Sequence, residues 1–170
     1  MNEKLIRLEA GEGSVVVELD ADALASLAAG DSDDSPWSVL TEPDWSDYES
    51  LRLLAATFDD GSIAALVALR PAGAAGHDAE QTVAVLVDRG KSVEDAHEAL
   101  LSTELDAEGL VRRVGLELWT SEEPPPRRLA ADRAHSSSIT GETGERESAL
   151  MEARLDGKSG TAMFEVLRSA

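Results

Sequence analysis

Apolar runs of strand length come in pairs along this chain, each pair broken by a short turn of Asp and Gly. The plainest pair is Ser50 to Pro71, SLRLLAATFDDGSIAALVALRP, where two such runs flank Asp59-Asp60-Gly61. Asp-Gly between apolar runs is a strong short-range hairpin signal. Ala and Leu dominate both runs, so composition alone allows helix. The Asp-Asp-Gly break counts against a continuous one, because Gly costs about 1 kcal/mol in a helix interior. The layout recurs at Asp106–Gly109, ahead of Leu110 to Trp119, and at Asp156–Gly160, between Ser148–Leu155 and Thr161–Arg168. Val114, Leu116 and Leu118 alternate with Gly115, Glu117 and Trp119. Ala162, Phe164 and Val166 alternate with Met163, Glu165 and Leu167. Both are the period-two signature of a strand.

Between these hairpins the pattern is weaker. Leu5–Leu8 and Ser14–Leu19 read as strands joined by Ala10-Gly11-Glu12-Gly13. Asp20 to Ala29 reads as one or two helical turns, with Asp20 or Asp22 to cap it and Gly30 to end it. Trp37 to Tyr48 holds three of the six aromatics, and Pro36 and Pro43 discourage both helix and central strand there. That segment reads as a lid on the core or the rim of a pocket. Ala72–His77 is a small loop, and Gln81–Val87 a strand. Ser92–Leu101 fits a short helix or the approach to a strand. Ser121–Pro126 reads as a polyproline-like connection, Arg128–Arg133 as a short strand and His135–Glu145 as a polar loop. Strands joined by short turns form a meander, and one this long must close or fold over to bury a face. The expectation is an all-β protein, an antiparallel barrel or half-barrel with one short helix, in a single domain over residues 1–170.

Charge and composition narrow the partners. Fifteen basic against 34 acidic residues give a net charge of −19, which repels nucleic acid and anionic membranes. There is no cysteine, so disulfides and thiolate chemistry are excluded. No apolar run approaches the roughly 18 residues that span a bilayer. The N-terminal residues lack a signal peptide's basic and apolar regions, so a cytoplasmic location is expected.

Few residues stand out chemically. His77, His97 and His135 lack zinc-motif spacing, and Asp31-Ser32-Asp33-Asp34 lacks the Gly and later Glu of a calcium loop. Thr140-Gly141-Glu142-Thr143-Gly144 does not make a phosphate loop. No metal, cofactor or catalytic residue is therefore assigned. In a chain so poor in aromatics, Trp37, Trp45, Tyr48 and Trp119 are the candidate ligand-binding residues, set against plain core packing.

Three stretches resemble one half of the lipocalin-like hydratase family, which includes hydroxyneurosporene synthase (a carotenoid 1,2-hydratase) and the AttH-like proteins. They are Pro36–Tyr48 leading into Leu51–Phe58 and Asp60-Gly61, the strand Val114–Trp119, and Leu155–Glu165 (LDGKSGTAMFE). The family's His-Asp-Trp-Gly-type segment corresponds to Asp44-Trp45-Ser46-Asp47-Tyr48, which has no His. The resemblance implies a lipocalin-like barrel whose mouth accepts long apolar molecules such as lipids or isoprenoids. Three functions follow. The first is non-catalytic binding or carriage of such a molecule. The second is an enzyme acting on it, hydratase- or isomerase-like, with Asp44 or Asp47 as the acid. The third is a structural module that completes an exposed sheet edge by forming a homodimer.

Overall fold

The computed structural model describes residues 5–74, 80–88, 93–120, 126–141 and 144–169. The chain opens with β1 (Leu5–Ala10), β2 (Val15–Asp20), helix α1 (Ala21–Ala28) and β3 (Trp37–Thr41). The Asp20 carboxylate caps α1, accepting from the amides of Asp22 and Ala23 at 2.9 and 3.2 Å. Gly30, at φ +79°, ends it. Nine strands follow: β4 (Tyr48–Phe58), β5 (Ile63–Pro71), β6 (Gln81–Val87), β7 (Val93–Asp95), β8 (Glu98–Leu105), β9 (Val111–Trp119), β10 (Arg127–Gly141), β11 (Gly144–Leu155) and β12 (Lys158–Ser169).

All neighbours pair antiparallel. β1, β2 and β3 form a small sheet, and the other nine strands form a second in the order β7-β6-β5-β4-β12-β11-β10-β9-β8. The large sheet is strongly curled into a half-barrel, as the meander requires. Its two ends approach each other through one stretch of chain. Val93–Asp95 pairs with β6, the Ala96 amide donates to the Ala84 carbonyl at 2.9 Å, and from Glu98 the same stretch pairs with β9. The ambiguous segment 92–101 is therefore strand from Val93 onward, interrupted only at Ala96 and His97.

Two apolar layers result. The concave face of the barrel buries Leu54, Leu66, Leu116, Leu118, Met151, Phe164 and their neighbours. The convex face of β4, β5 and β12 buries Leu51, Leu53, Val67, Leu69 and Met163 against Val17, Leu19, Leu24, Leu27 and Trp37 of the small sheet and α1. Central strands are thus buried on both sides, and their runs are continuously apolar rather than alternating. The paired alanines divide accordingly: Ala56 and Ala64 face the barrel, while Ala55 and Ala65 face the outer layer.

The turns follow their sequence signals. Asp156 and Gly157 both take positive φ, +47° and +87°, in a two-residue hairpin loop between Leu155 and Lys158. Asp60 accepts from the Ser62 amide and hydroxyl, with Gly61 at φ +84°. These two hairpin tips meet, since Lys158 Nζ donates to Asp60 at 2.8 Å and the Asp59 amide to the Ser159 carbonyl at 2.9 Å. The Lys158 contact, helped by Ser62, holds the Asp60 carboxyl well below its ordinary value of 3.8. A pKa lowered by folding stabilises the fold above the unfolded value and loses that contribution as pH falls through the lowered one. The stability difference between wild type and Asp60→Asn should therefore be present near neutrality and shrink toward about pH 2. Urea midpoints across that range check it; a difference independent of pH would mean the ion pair contributes nothing.

Two expectations are corrected or refined. The expected polar loop over 135–145 is instead the tip of a long hairpin, with Ser136–Gly141 paired to Gly144–Ala149 beyond the end of β9. A register shift between Arg133 and His135 marks its start. The segment after Pro36 includes a regular strand, but β3 sits at a sheet edge, where flanking prolines are tolerated. The loop beyond Ala74 with His77, the Ser121–Pro126 connection short of Pro126, and Ser92 lie outside the described residues. No described helix is long and apolar enough to cross a membrane.

Candidate functional site

Antiparallel register places side chains in rows across the barrel's concave face. Ser50 of β4 pairs with Arg70 of β5 on one side and Arg168 of β12 on the other, and Glu145 of β11 extends the row. Two residues further in, Arg52 lies between Ala68 and Val166, with Glu147 beyond. The next rows are apolar: Leu66, Leu54, Phe164 and Ala149, then Ala64, Ala56, Ala162 and Met151. One end of the barrel is therefore charged and the remaining length apolar.

A cavity of about 450 Å³ opens at the charged end. Phe164, Val166 and Arg168 of β12 and Ser50, Arg52 and Arg70 of β4 and β5 form one wall. Thr103 and Leu105 of β8 and Val111 of β9 face them. Cross-links fix that second wall. The Val111 amide donates to Glu147 at 2.7 Å, and Arg133 donates to Asp106 at 2.7 Å and to the Val111 carbonyl at 3.3 Å. The Arg133 contact, with the Leu110 amide, holds the Asp106 carboxyl below its usual range.

The arginines differ in how firmly they are held. Arg52 donates from Nε (3.2 Å) and Nη2 to Glu80, whose side chain is only 3% exposed. That fork-like pairing orients the guanidinium rigidly. Arg70 donates to Glu49, a half-exposed rim residue, and to the Ala74 carbonyl at 2.8 Å; its approach to Glu80 is 4.0 Å. Arg168 is the loosest. Its nearest carboxylate oxygens among the described residues, from Glu145 and Glu147, lie 3.9 and 4.0 Å away, beyond hydrogen-bond reach, and its side chain is 41% exposed.

A second cleft, about 610 Å³, lies on the convex side between the α1–β3 connection and β10–β12. At its base Glu165, with no exposed surface, accepts from Arg146 Nε and Nη2 at 3.1 and 2.6 Å, from Ser148 at 2.9 Å and from Ser35 at 2.5 Å. Every oxygen of this carboxylate is engaged, which makes it a tie between the connection and the sheet. His135 stands at the rim of this cleft.

The aromatic candidates gather elsewhere. Trp37 is buried in the outer layer, and Trp45 and Tyr48 pack against the same cluster from its edge. Trp119 ends β9 half-buried, on the face opposite Leu116 and Leu118, and its carbonyl accepts from the His97 amide at 2.9 Å. The structure thus brings three of the four together over the convex face, and the mouth is lined by other residues. Asp44 is exposed in the turn before β4, where the Ser46 hydroxyl and amide lower its pKa and favour the ionised carboxylate. Arg52, Arg70 and Arg168 were not singled out by the sequence reading. Their signal is parity: each continues the inward-facing set of its strand, Leu54 and Ala56, Leu66 and Ala68, or Phe164 and Val166.

Fold and site together define an all-β protein whose curled sheet carries an apolar core and one charged, open mouth, a form compatible with ligand binding. No family model matches the chain. No curated protein matches it either. Among solved structures the chain is similar to that titled "Crystal structure of CghA", at 12% identity and a TM-score of 0.48. The match covers 92% of this chain and 51% of that one, so the chain spans about half the length of CghA.

Proposed function

We propose that the protein binds a hydrophobic small molecule, of lipid or isoprenoid type, at the charged mouth of its half-barrel, as a non-catalytic binder or carrier. The observation that supports this most is the mouth cavity itself. Its inner wall is Phe164, Val166 and Val111, its rim is charged, and about 450 Å³ is the size of a small-molecule pocket rather than a macromolecular groove. A hydratase-like role, suggested by the family resemblance, would need an acid at this mouth. Asp44 and Asp47 are both exposed on the turn before β4 and neither lines the cavity; the acid that does, Glu49, is paired with Arg70, so binding is the favoured reading.

Native mass spectrometry of the full chain purified from an extract of its own host tests the reading. The expected result is a non-covalent mass of a few hundred daltons on the protein. Thr103→Trp, which fills the cavity from the β8 side against Phe164 and Val166, should abolish that mass while leaving the melting temperature within a few degrees. A bare wild-type chain that also takes up no long-chain alcohol or acid would refute the proposal.

A further inference from the structure

We infer that the ligand's polar end is a carboxylate, held between Arg168 and Arg70 across Ser50, with its apolar body directed toward Phe164. This rests on the binding reading above and adds the head-group chemistry. The chain has 15 basic residues among 34 acidic ones, yet three of those 15 line one cavity. Two of the carboxylates near these arginines are buried, Glu80 and Glu147, each with a 3% exposed side chain. Arg52 neutralises Glu80, and Glu147 is bonded to the Val111 amide. That leaves Arg70 with a hydrogen-bonded carboxylate only at the rim, and Arg168 with none within hydrogen-bond reach among the described residues. Glu49, on Arg70, is 44% exposed and can turn into water; Glu145 stands 3.9 Å from Arg168.

The register sets Arg70 and Arg168 on the two strands that flank β4, with the buried Ser50 paired to both between them. Both arginines already face carboxylates, Arg70 beside the Ala74 carbonyl as well, so a ligand carboxylate can take the place of Glu49 and close the gap at Arg168 without remodelling the mouth. Charge-assisted bonds to a carboxylate are among the stronger polar contacts, and a partly enclosed mouth screens them less than open solvent. A neutral or cationic head would leave Arg168 without a hydrogen-bonding anion and bring no compensation.

The test is calorimetric titration of the full chain with decanoic acid, 1-decanol and decylamine, each below its aggregation concentration, at neutral pH and low salt. Decanoic acid should bind at least tenfold more tightly than the alcohol, and the amine more weakly than either. Arg168→Gln should bring the acid to within a factor of about two or three of the alcohol, while Arg168→Lys keeps part of the preference. Arg112→Gln, on an exposed pair with Glu104 away from the cavity, should leave it unchanged. Arg70→Gln is the second mouth variant, so a folding defect in one does not end the test. If the alcohol binds and the acid binds no better, the carboxylate is overturned and the binding site stands. An acid preference indifferent to both Arg168 and Arg70 overturns it as well. If none of the three probes binds, the binding reading itself fails.

Discussion

Replacing Glu165 with alanine should cost about 3 kcal/mol of stability, the largest loss expected from any single polar side chain here. The carboxylate is fully enclosed and accepts four hydrogen bonds, two from Arg146 and one each from Ser35 and Ser148. Removing it leaves two hydroxyls and a guanidinium facing an empty site. Breaking a buried pair by deleting one partner typically costs about 3–5 kcal/mol, and the lower end applies because the Arg146 side chain is 40% exposed and can turn to water. Glu165→Gln keeps the shape and part of the bonding, so about 1–2 kcal/mol is expected. Urea denaturation of both variants gives the comparison. An alanine variant within about 0.5 kcal/mol of wild type would show that the Ser35 connection is held by its apolar neighbours alone.

Gly160→Ala should be comparably damaging for a different reason. A Cβ there would lie 2.1 Å from the Thr57 carbonyl oxygen and 2.6 and 2.9 Å from Phe58 Cδ1 and Cα. The first contact is with backbone, which no rotamer change relieves. Gly160 pairs with Phe58 across β12 and β4, and the Phe58 ring lies over the place where a side chain would be. Alanine must push the two strands apart beside the meeting hairpin tips or expel the ring from the core. Overpacking of this kind costs about 1–3 kcal/mol and more where backbone must move, so about 3 kcal/mol is expected, with a matching drop in melting temperature. A variant as stable as wild type would mean that the strands separate there without loss.

Which features were legible in the sequence follows from which forces act locally. Asp-Gly turns and the Asp20 cap are satisfied by neighbours a few residues away, so the three hairpins and the helix could be read directly. The 135–141 strand could not, although its partner begins close by at Gly144, because its polar sequence has no apolar alternation. The mouth was hidden for a subtler reason. β4 and β5 are apolar on both faces, so Leu51, Leu53 and Leu54 look alike in sequence although they belong to different layers. Without knowing which face turns inward, Arg52 reads as an interruption in an apolar run. The aromatics stand out by size, and size signals burial without naming a layer: Trp37, Trp45 and Tyr48 join the layer between the small sheet and the barrel.

The pairing of β12 with β4 also fixes the order in which the molecule can assemble. Phe164 meets Leu54, 110 positions earlier, and this pair lies at the centre of the nine-stranded sheet. Topologies dominated by such distant contacts fold slowly, on the order of milliseconds to seconds, because the closing chain loses entropy before the contact stabilises it. Until β12 arrives, β4 presents an unpaired backbone edge along Leu53–Ala56, apolar on both faces. That edge is a template for any other extended chain, so newly made molecules are most exposed to aggregation in the interval before their own strand fills it.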